Sequence, residues 1–262
     1  LDDLAGYQAK FAEPVRTTFA GHEICGQPTW TQAPVLLQSL NILERFDLKA
    51  MGHNTTEYLH TLLETTKLAF ADREAYYGDP KFDDLPMEIL LSEAYNAGRH
   101  ELISDRASTE MRPGDIGNGV PEYATIGVGD DNRAALGIGA RAVKDLGLGH
   151  AHMGDTTHLD AVDSQGNMVS ATPSGGWIGG SVILAETGIA MSVRGEQFWL
   201  DSTRAAQLRP RSRPRYSLTP SIVLRDDKPF LAIGSPGGDN QEQTILQTFL
   251  TIVEFEDAWY PN

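Results

Sequence analysis

The sequence predicts an α/β fold with two textures along one chain, a mainly helical first part and a second part of short strands and turns. Three observations predict it. From Pro34 to about Asp105, apolar residues recur at helical spacing. After Thr156 the apolar runs shorten and alternate with turn residues. Near the end a strand-like run leads straight into Gly234-Ser235-Pro236-Gly237-Gly238, and helical spacing resumes behind it.

The segment from Leu36 to Leu48 has helical spacing, and Leu59, Leu62, Leu63, Thr66 and Phe70 fall on one face of a second helix, so both are expected to be packing helices. Between Ala107 and Asn132 lies a polar passage rich in Gly and Pro, from Met111-Arg112-Pro113-Gly114-Asp115 through Gly127-Val128-Gly129-Asp130. It is too long for a simple connection and reads as a mobile or exposed loop. Ala134 to Leu146 suits a short helix. Leu159, Ala161 and Val162 make one strand-like run and Met168, Val169 and Ala171 another, with Ser164-Gln165-Gly166-Asn167 as the turn, so Thr156 stands at the head of a β-hairpin. Ser221 to Leu224 and Phe230 to Ile233 flank a polar Arg225-Asp226-Asp227-Lys228 turn. Thr244 to Glu254 puts Ile245, Phe249, Ile252 and Val253 at helical spacing, and no internal repeat is evident.

Gly154-Asp155-Thr156-Thr157-His158 carries the strongest chemical signal. Cleavage of the Asp155-Thr156 bond would give Thr156 a hydroxyl nucleophile and a free α-amine on one residue. That amine, with a pKa of roughly 7.7–8, can take the hydroxyl proton near neutral pH without a histidine. The same residues also read as an N-cap or a loop-to-strand junction. Attack on an amide needs a site for the oxyanion, and the backbone N–H groups of Gly237 and Gly238 suit it because no Cβ blocks close approach. A plain tight turn is the alternative there. Ser174, beside Gly175 and Gly176, has a hydroxyl that fits either an assisting role or an ordinary loop.

With 262 residues the chain can bury a sizeable core. Its 21 basic and 36 acidic residues give a formal net charge of −15, which disfavours nucleic acid and anionic membrane as partners. The single cysteine, Cys25, excludes an intrachain disulfide and a multi-cysteine zinc site and leaves the compartment undecided. No run approaches 18 apolar residues, and the opening Leu1-Asp2-Asp3-Leu4 lacks the pattern of a signal peptide.

Thr156-Thr157-His158, the Asp163 to Asn167 turn, Glu186-Thr187-Gly188-Ile189, Pro220 and Gly234-Ser235-Pro236-Gly237-Gly238 stand in an order that resembles the γ-glutamyltranspeptidase family of N-terminal nucleophile hydrolases. Gly52 onward through Ala71-Asp72-Arg73, Gly78-Asp79-Pro80 and Leu91-Ser92 is similar to the helical part of that family's large subunit. The resemblance implies a four-layer αββα sandwich. It implies residues 1–155 as the C-terminal part of a large subunit and 156–262 as a small subunit that begins at the nucleophile, the two intertwined in one domain. It also implies self-cleavage between Asp155 and Thr156, Gly237 and Gly238 as the oxyanion hole, and Ser174 where the family has an assisting threonine. The expected partners are a small-molecule amide and the chain's own complementary subunit, with homo-oligomerisation open, and no cofactor or metal is expected. The family's start of the large subunit, with an arginine that clamps the substrate carboxylate, has no counterpart in these residues. The resemblance points to a periplasmic or extracellular protein, with the cytoplasm left open.

The departures from the family concern the substrate. Where it has an acidic residue for the α-ammonium of a γ-glutamyl group, this chain has Gln197, and the neighbouring recognition position, usually an amide, is Arg194. A guanidinium repels an ammonium and attracts a carboxylate. Of two serines that usually meet the glutamate carboxylate, Ser217 is kept and the other is Tyr216; glycines at 175 and 176 replace a lid-anchoring asparagine. These changes suggest a γ-linked or dicarboxylic acyl amide, as in cephalosporin acylases.

Three rivals remain. His150, His152, Asp155 and His158 form a candidate metal cluster. The Gly234 to Gly238 elbow is a candidate phosphate cradle, although the Gly-Lys-Ser/Thr of a P-loop does not follow it. A binding protein that has lost processing is the third.

Overall fold

The computed structural model describes Gly6 and residues 8–122, 156–175 and 182–255. The predicted helix over 134–146, the passage beyond residue 122, Gly176 and the candidate ligands His150, His152 and Asp155 lie outside the described residues.

The first elements among the described residues are β1 (Val15–Phe19) and β2 (His22–Gly26), joined at Ala20 and Gly21, both at positive φ. The sequence reading assigns no strand this early and treats residues 1–155 as mainly helical. Among the described residues five helices follow: α1 (Ala33–Leu43), α2 (Leu48–Met51), α3 (Thr56–Tyr76), α4 (Met87–Leu90) and α5 (Glu93–His100). The predicted 36–48 helix is divided, because Asp47 caps the start of α2 by accepting from Ala50 N at 3.0 Å. Thr55 and Ser92 cap α3 and α5 in the same way.

β3 (Leu159–Val162) and β4 (Met168–Ala171) form the predicted hairpin. Asp163 closes its turn, accepting from Gln165 N at 2.8 Å and Asn167 N at 2.9 Å, while Gly166 takes φ +87°. A short pair, β5 (Ile183–Leu184) and β6 (Ile189–Ala190), precedes β7 (Ser221–Arg225) and β8 (Lys228–Ile233). Asp226 and Asp227 both have positive φ, as a tight two-residue hairpin turn requires. The chain then enters α6 (Gln241–Glu254).

β1, β2, β7 and β8 make one antiparallel sheet in that order, with His22 opposite Arg225 and Cys25 opposite Ile222 where β2 meets β7. Phe19, Ile24, Val223 and Ile233 point from it into a core shared with Leu36, Leu37 and Leu40 of α1 and Ile245, Phe249 and Leu250 of α6. The β3–β4 hairpin packs on the sheet near β8, where Ser170 Oγ donates to Ile233 O at 3.3 Å.

Two expectations need correction. Leu59 and Leu63 are exposed, and the buried side of α3 carries Tyr58, Leu62, Leu68 and Ala69 together with Glu64, Asp72 and Arg73. Those charges are paired inside: Asp72 accepts from Gln38 Nε2 at 2.5 Å and lies 3.2 Å from Arg99. An inward face containing satisfied charges cannot be found from apolar spacing alone. The described part of the Gly/Pro-rich passage is an exposed loop, as one of its two readings has it, but it is anchored rather than loose. Gly114 N donates to Asp72 at 2.7 Å, Arg112 Nη2 to Glu64 at 2.9 Å, and Tyr76 Oη to Gly114 O at 2.5 Å. An added Cβ at Gly114 would overlap the Tyr95 ring, so a glycine lets this strap lie against α5.

Candidate active site

The hairpin register determines what stands beside Thr156. Leu159 pairs with Ala171, and the ladder continues outward as Thr157 N donates to Pro173 O at 3.1 Å. Thr156 is thereby opposite Ser174, and their hydroxyl oxygens are 2.6 Å apart. A 3₁₀ turn over Arg194–Gln197 brings in the third group. Arg194 Nη2 donates to Thr156 Oγ1 at 3.3 Å and also to Ser174 Oγ. The Arg194 side chain is only 11% exposed, and its Nη1 lies 3.7 Å from Glu196. Gly175 makes this approach sterically feasible: it has φ +97°, and a Cβ there would sit 2.8 Å from Ser192 Oγ and 3.1 Å from Arg194 Cγ. Gln197 ends the same turn, half-buried.

His158, two residues along, connects the threonine to the glycine elbow. Its Nδ1 is 2.9 Å from Thr172 Oγ1 and its Nε2 is 2.9 Å from Asp160 Oδ2. The ring lies flat enough on Gly234 that any Cβ at that position would overlap it. The first glycine of the elbow is thus a close approach between β8 and the nucleophile strand. Gly237 (φ +126°) and Gly238 (φ +57°) are in the left-handed region, and neither is crowded, so conformation rather than space calls for glycine there. Among the described residues, none accepts a hydrogen bond from Gly237 N–H or Gly238 N–H.

Behind the elbow, the carboxylate of Asp239 accepts from Arg73 Nη1 at 2.9 Å and Nη2 at 3.1 Å. Glu242, in the first turn of α6, accepts from Gln32 Nε2 at 2.6 Å and Thr219 Oγ1 at 2.8 Å. Burial pushes its carboxyl up to about 7 against the opposing effect of those two hydrogen bonds. Tyr216 lines a cavity with Trp30, Arg213 and Ile222, and its N–H donates to Trp30 O at 2.6 Å. Ser217 is buried, and its Oγ has no hydrogen-bond partner among the described residues.

The structure therefore joins Thr156, Ser174 and Arg194 by direct contacts and ties the Gly234–Gly238 elbow to them through His158. The sequence reading missed His158 as a spacer, Gly234 as its seat, and the Arg73–Asp239 and Glu242 contacts. Ala71-Asp72-Arg73 was visible as a motif, but spacing gives no sign of a partner 166 residues away. No group of three metal-ligating side chains occurs among the described residues, and no described helix is long and apolar enough to cross a membrane.

An antiparallel sheet backed by helices, with a threonine-led hairpin packed upon it, is the α/β arrangement of the N-terminal nucleophile hydrolase fold, which the solved structures this chain matches share. The chain belongs to the γ-glutamyltranspeptidase family, whose model, described as "Gamma-glutamyltranspeptidase", matches residues 1–259. It is 30% identical to the glutathione hydrolase proenzyme of Bacillus subtilis over 259 residues, which is 97% of this chain and 41% of that protein. Among solved structures it resembles LmbA2991HD at 40% identity and TM-score 0.78, covering 96% of this chain and 40% of the other. It also resembles the cephalosporin acylase of Bacillus halodurans at 27% identity and TM-score 0.75, covering 97% and 40%. The chain thus spans about two fifths of the length of these relatives.

Proposed function

We propose that this chain carries the nucleophile of a self-processing amidohydrolase of γ-glutamyltranspeptidase type. The observation that carries the reading is the 2.6 Å contact between Thr156 Oγ1 and Ser174 Oγ at the head of the hairpin. Cleavage between Asp155 and Thr156 frees the threonine amine, which takes the hydroxyl proton as Oγ1 attacks the substrate carbonyl. The Gly237 and Gly238 N–H groups hold the oxyanion. The tetrahedral intermediate collapses, the C–N bond breaks, and the amine leaves with the proton. Water then hydrolyses the acyl ester on Thr156, in preference to transfer to an acceptor amine. In this reading residues 1–155 belong to the C-terminal part of the large subunit and residues 156–262 to the small subunit that begins at the nucleophile.

Arg194 governs the acyl group in this reading. Its guanidinium stands at the nucleophile, where a γ-glutamyl ammonium would meet a cation, and Gln197 offers no carboxylate to compensate. Leaving a buried charge without its partner costs on the order of 3–5 kcal/mol, roughly a hundred- to a few thousand-fold in affinity. A dicarboxylic acyl amide of glutaryl type, which keeps the distal carboxylate and lacks the ammonium, is favoured. The likeness to a cephalosporin acylase supports this, and the likeness to a glutathione hydrolase proenzyme supports a γ-glutamyl amide as the second reading. Ser217 and Tyr216 are assigned to the acyl site by the family resemblance alone; in the structure Ser217 is buried and Tyr216 lines a cavity with Trp30 and Arg213.

The test has two parts. Mass spectrometry of the purified protein is expected to find a chain that starts at Thr156, with Thr156→Ala remaining uncut and Thr156→Ser cutting slowly. Measured kcat/KM is expected to be higher for a glutaryl anilide than for the γ-glutamyl anilide, and Gln197→Asp is expected to narrow the gap. A strong wild-type preference for the γ-glutamyl compound would establish the second reading instead.

A further inference from the structure

We propose that Arg73 and Glu74 of α3 are positioning residues for the active site: Arg73 holds the oxyanion turn through Asp239, and Glu74 links that grip through Arg215 to the segment bearing Tyr216 and Ser217. The proposal rests on Gly237 and Gly238 being the oxyanion donors.

Two consecutive glycines at positive φ make a turn whose amides can point in many directions unless something outside the turn restrains them. The restraint begins at the next residue. Asp239 places both carboxylate oxygens on the Arg73 guanidinium, at 2.9 and 3.1 Å, and such a two-point contact fixes rotation as well as distance. Arg73 is itself immobilised. Its side chain is 6% exposed, its Nε and Nη2 donate to Glu74 Oε1 at 3.1 and 2.5 Å, and Nη1 donates to Gln32 Oε1. The Asp239 side chain is 61% exposed. Without Asp239 the guanidinium keeps Glu74 and Gln32 as partners, whereas Asp239, exposed as it is, is held in place by Arg73, so the contact acts on the turn.

The same Glu74 oxygen accepts from Arg215 Nη1 at 2.7 Å. Arg215 directly precedes Tyr216 and Ser217, so one carboxylate on one rigid helix references both the oxyanion turn and the acyl-reading segment. Burial pushes the Glu74 carboxyl up, but Arg215 and Arg73 outweigh it and hold it at about 2, so the link stays charged at any pH used to assay amide hydrolysis.

The experiment compares wild type, Asp239→Ala, Asp239→Asn, Arg73→Lys, the Arg73→Lys/Asp239→Ala double variant and Glu74→Gln in the full chain, reading steady-state kinetics on the better anilide and backbone hydrogen exchange over residues 213–217 and 234–240. Glu74→Gln is expected to accelerate exchange in both stretches, and unchanged exchange in either overturns its role. Asp239→Ala is expected to lower kcat roughly 10- to 100-fold, as loss of alignment does, with KM within about twofold of wild type. Asp239→Asn, which keeps one acceptor, should fall between. Arg73→Lys combined with Asp239→Ala should lose no more than the worse single variant, because the two form one contact. Exchange at the elbow should accelerate while α3 stays protected. Unchanged elbow exchange in Asp239→Ala, or faster exchange with kcat unaltered, overturns the proposal. Absence of turnover by wild type on either anilide would count against the function proposed above, while the exchange measurement would still decide whether Arg73 holds the turn.

Discussion

At the scale of single residues, two glycines of the elbow are required for different reasons, and each makes a different prediction. Gly238 is uncrowded but sits at φ +57°, a region that costs an L-residue roughly 1–2 kcal/mol. Gly238→Ala is expected to fold and to lose roughly 10²-fold or more in kcat as one oxyanion donor is misdirected; an unaltered kcat would return the elbow to a plain turn. Gly234 lacks space rather than conformational freedom, because the His158 ring occupies the position of its Cβ. Gly234→Ala should therefore destabilise the protein by about 1–3 kcal/mol in urea unfolding, and adding His158→Ala should recover part of that stability. A double variant as unstable as the sum of the singles would show that the ring is not the obstacle. Thr156 and the glycines can be put forward from the sequence because residue type alone suggests their chemistry. The seat of His158 was not, since it depends on two strands meeting face to face.

At the scale of elements, the start of α6 contains an ionisable group whose surroundings predict a pH dependence. Glu242 is buried beside Gln32 and Thr219, and its carboxyl is pushed up to about 7 from an ordinary value of 4.5. The folded state thus holds a proton there that the unfolded chain has released. Its stabilising contribution is complete below about pH 4.5 and is lost as pH climbs through about 7. The difference amounts to on the order of 3 kcal/mol. Glu242→Gln keeps an oxygen to accept from Gln32 and Thr219, so its unfolding midpoint should decline less than that of wild type between pH 5 and pH 8. Parallel declines in the two proteins would mean that Glu242 does not titrate in this range. The hairpin β3–β4 and helix α6 were legible in the sequence because alternation, turn residues and helical spacing are local signals. The inward face of α3 was not: Glu64, Asp72 and Arg73 are buried by virtue of partners on other elements.

For the whole molecule, the pairing of β2 with β7 has the largest consequence. It joins residues 22–25 to residues 222–225 across the proposed cut, and Phe19 and Ile24 share a core with Val223, Ile233 and Phe249. Neither piece can keep that core dry alone. After cleavage, residues 1–155 and 156–262 are expected to migrate together in size-exclusion chromatography and to separate only in denaturant; independent migration in native buffer would contradict a shared core. By itself the sequence determined the α/β class, the hairpin led by Thr156, the elbow after a strand, and the family, because each is written in residue types and spacings a few positions apart. Tertiary structure alone decided that β1 and β2 extend the sheet of β7 and β8, that Arg194 reaches Thr156, and that Arg73 grips Asp239. Those contacts join residues far apart in the chain, and such residues acquire a common environment only when the core closes and excludes water.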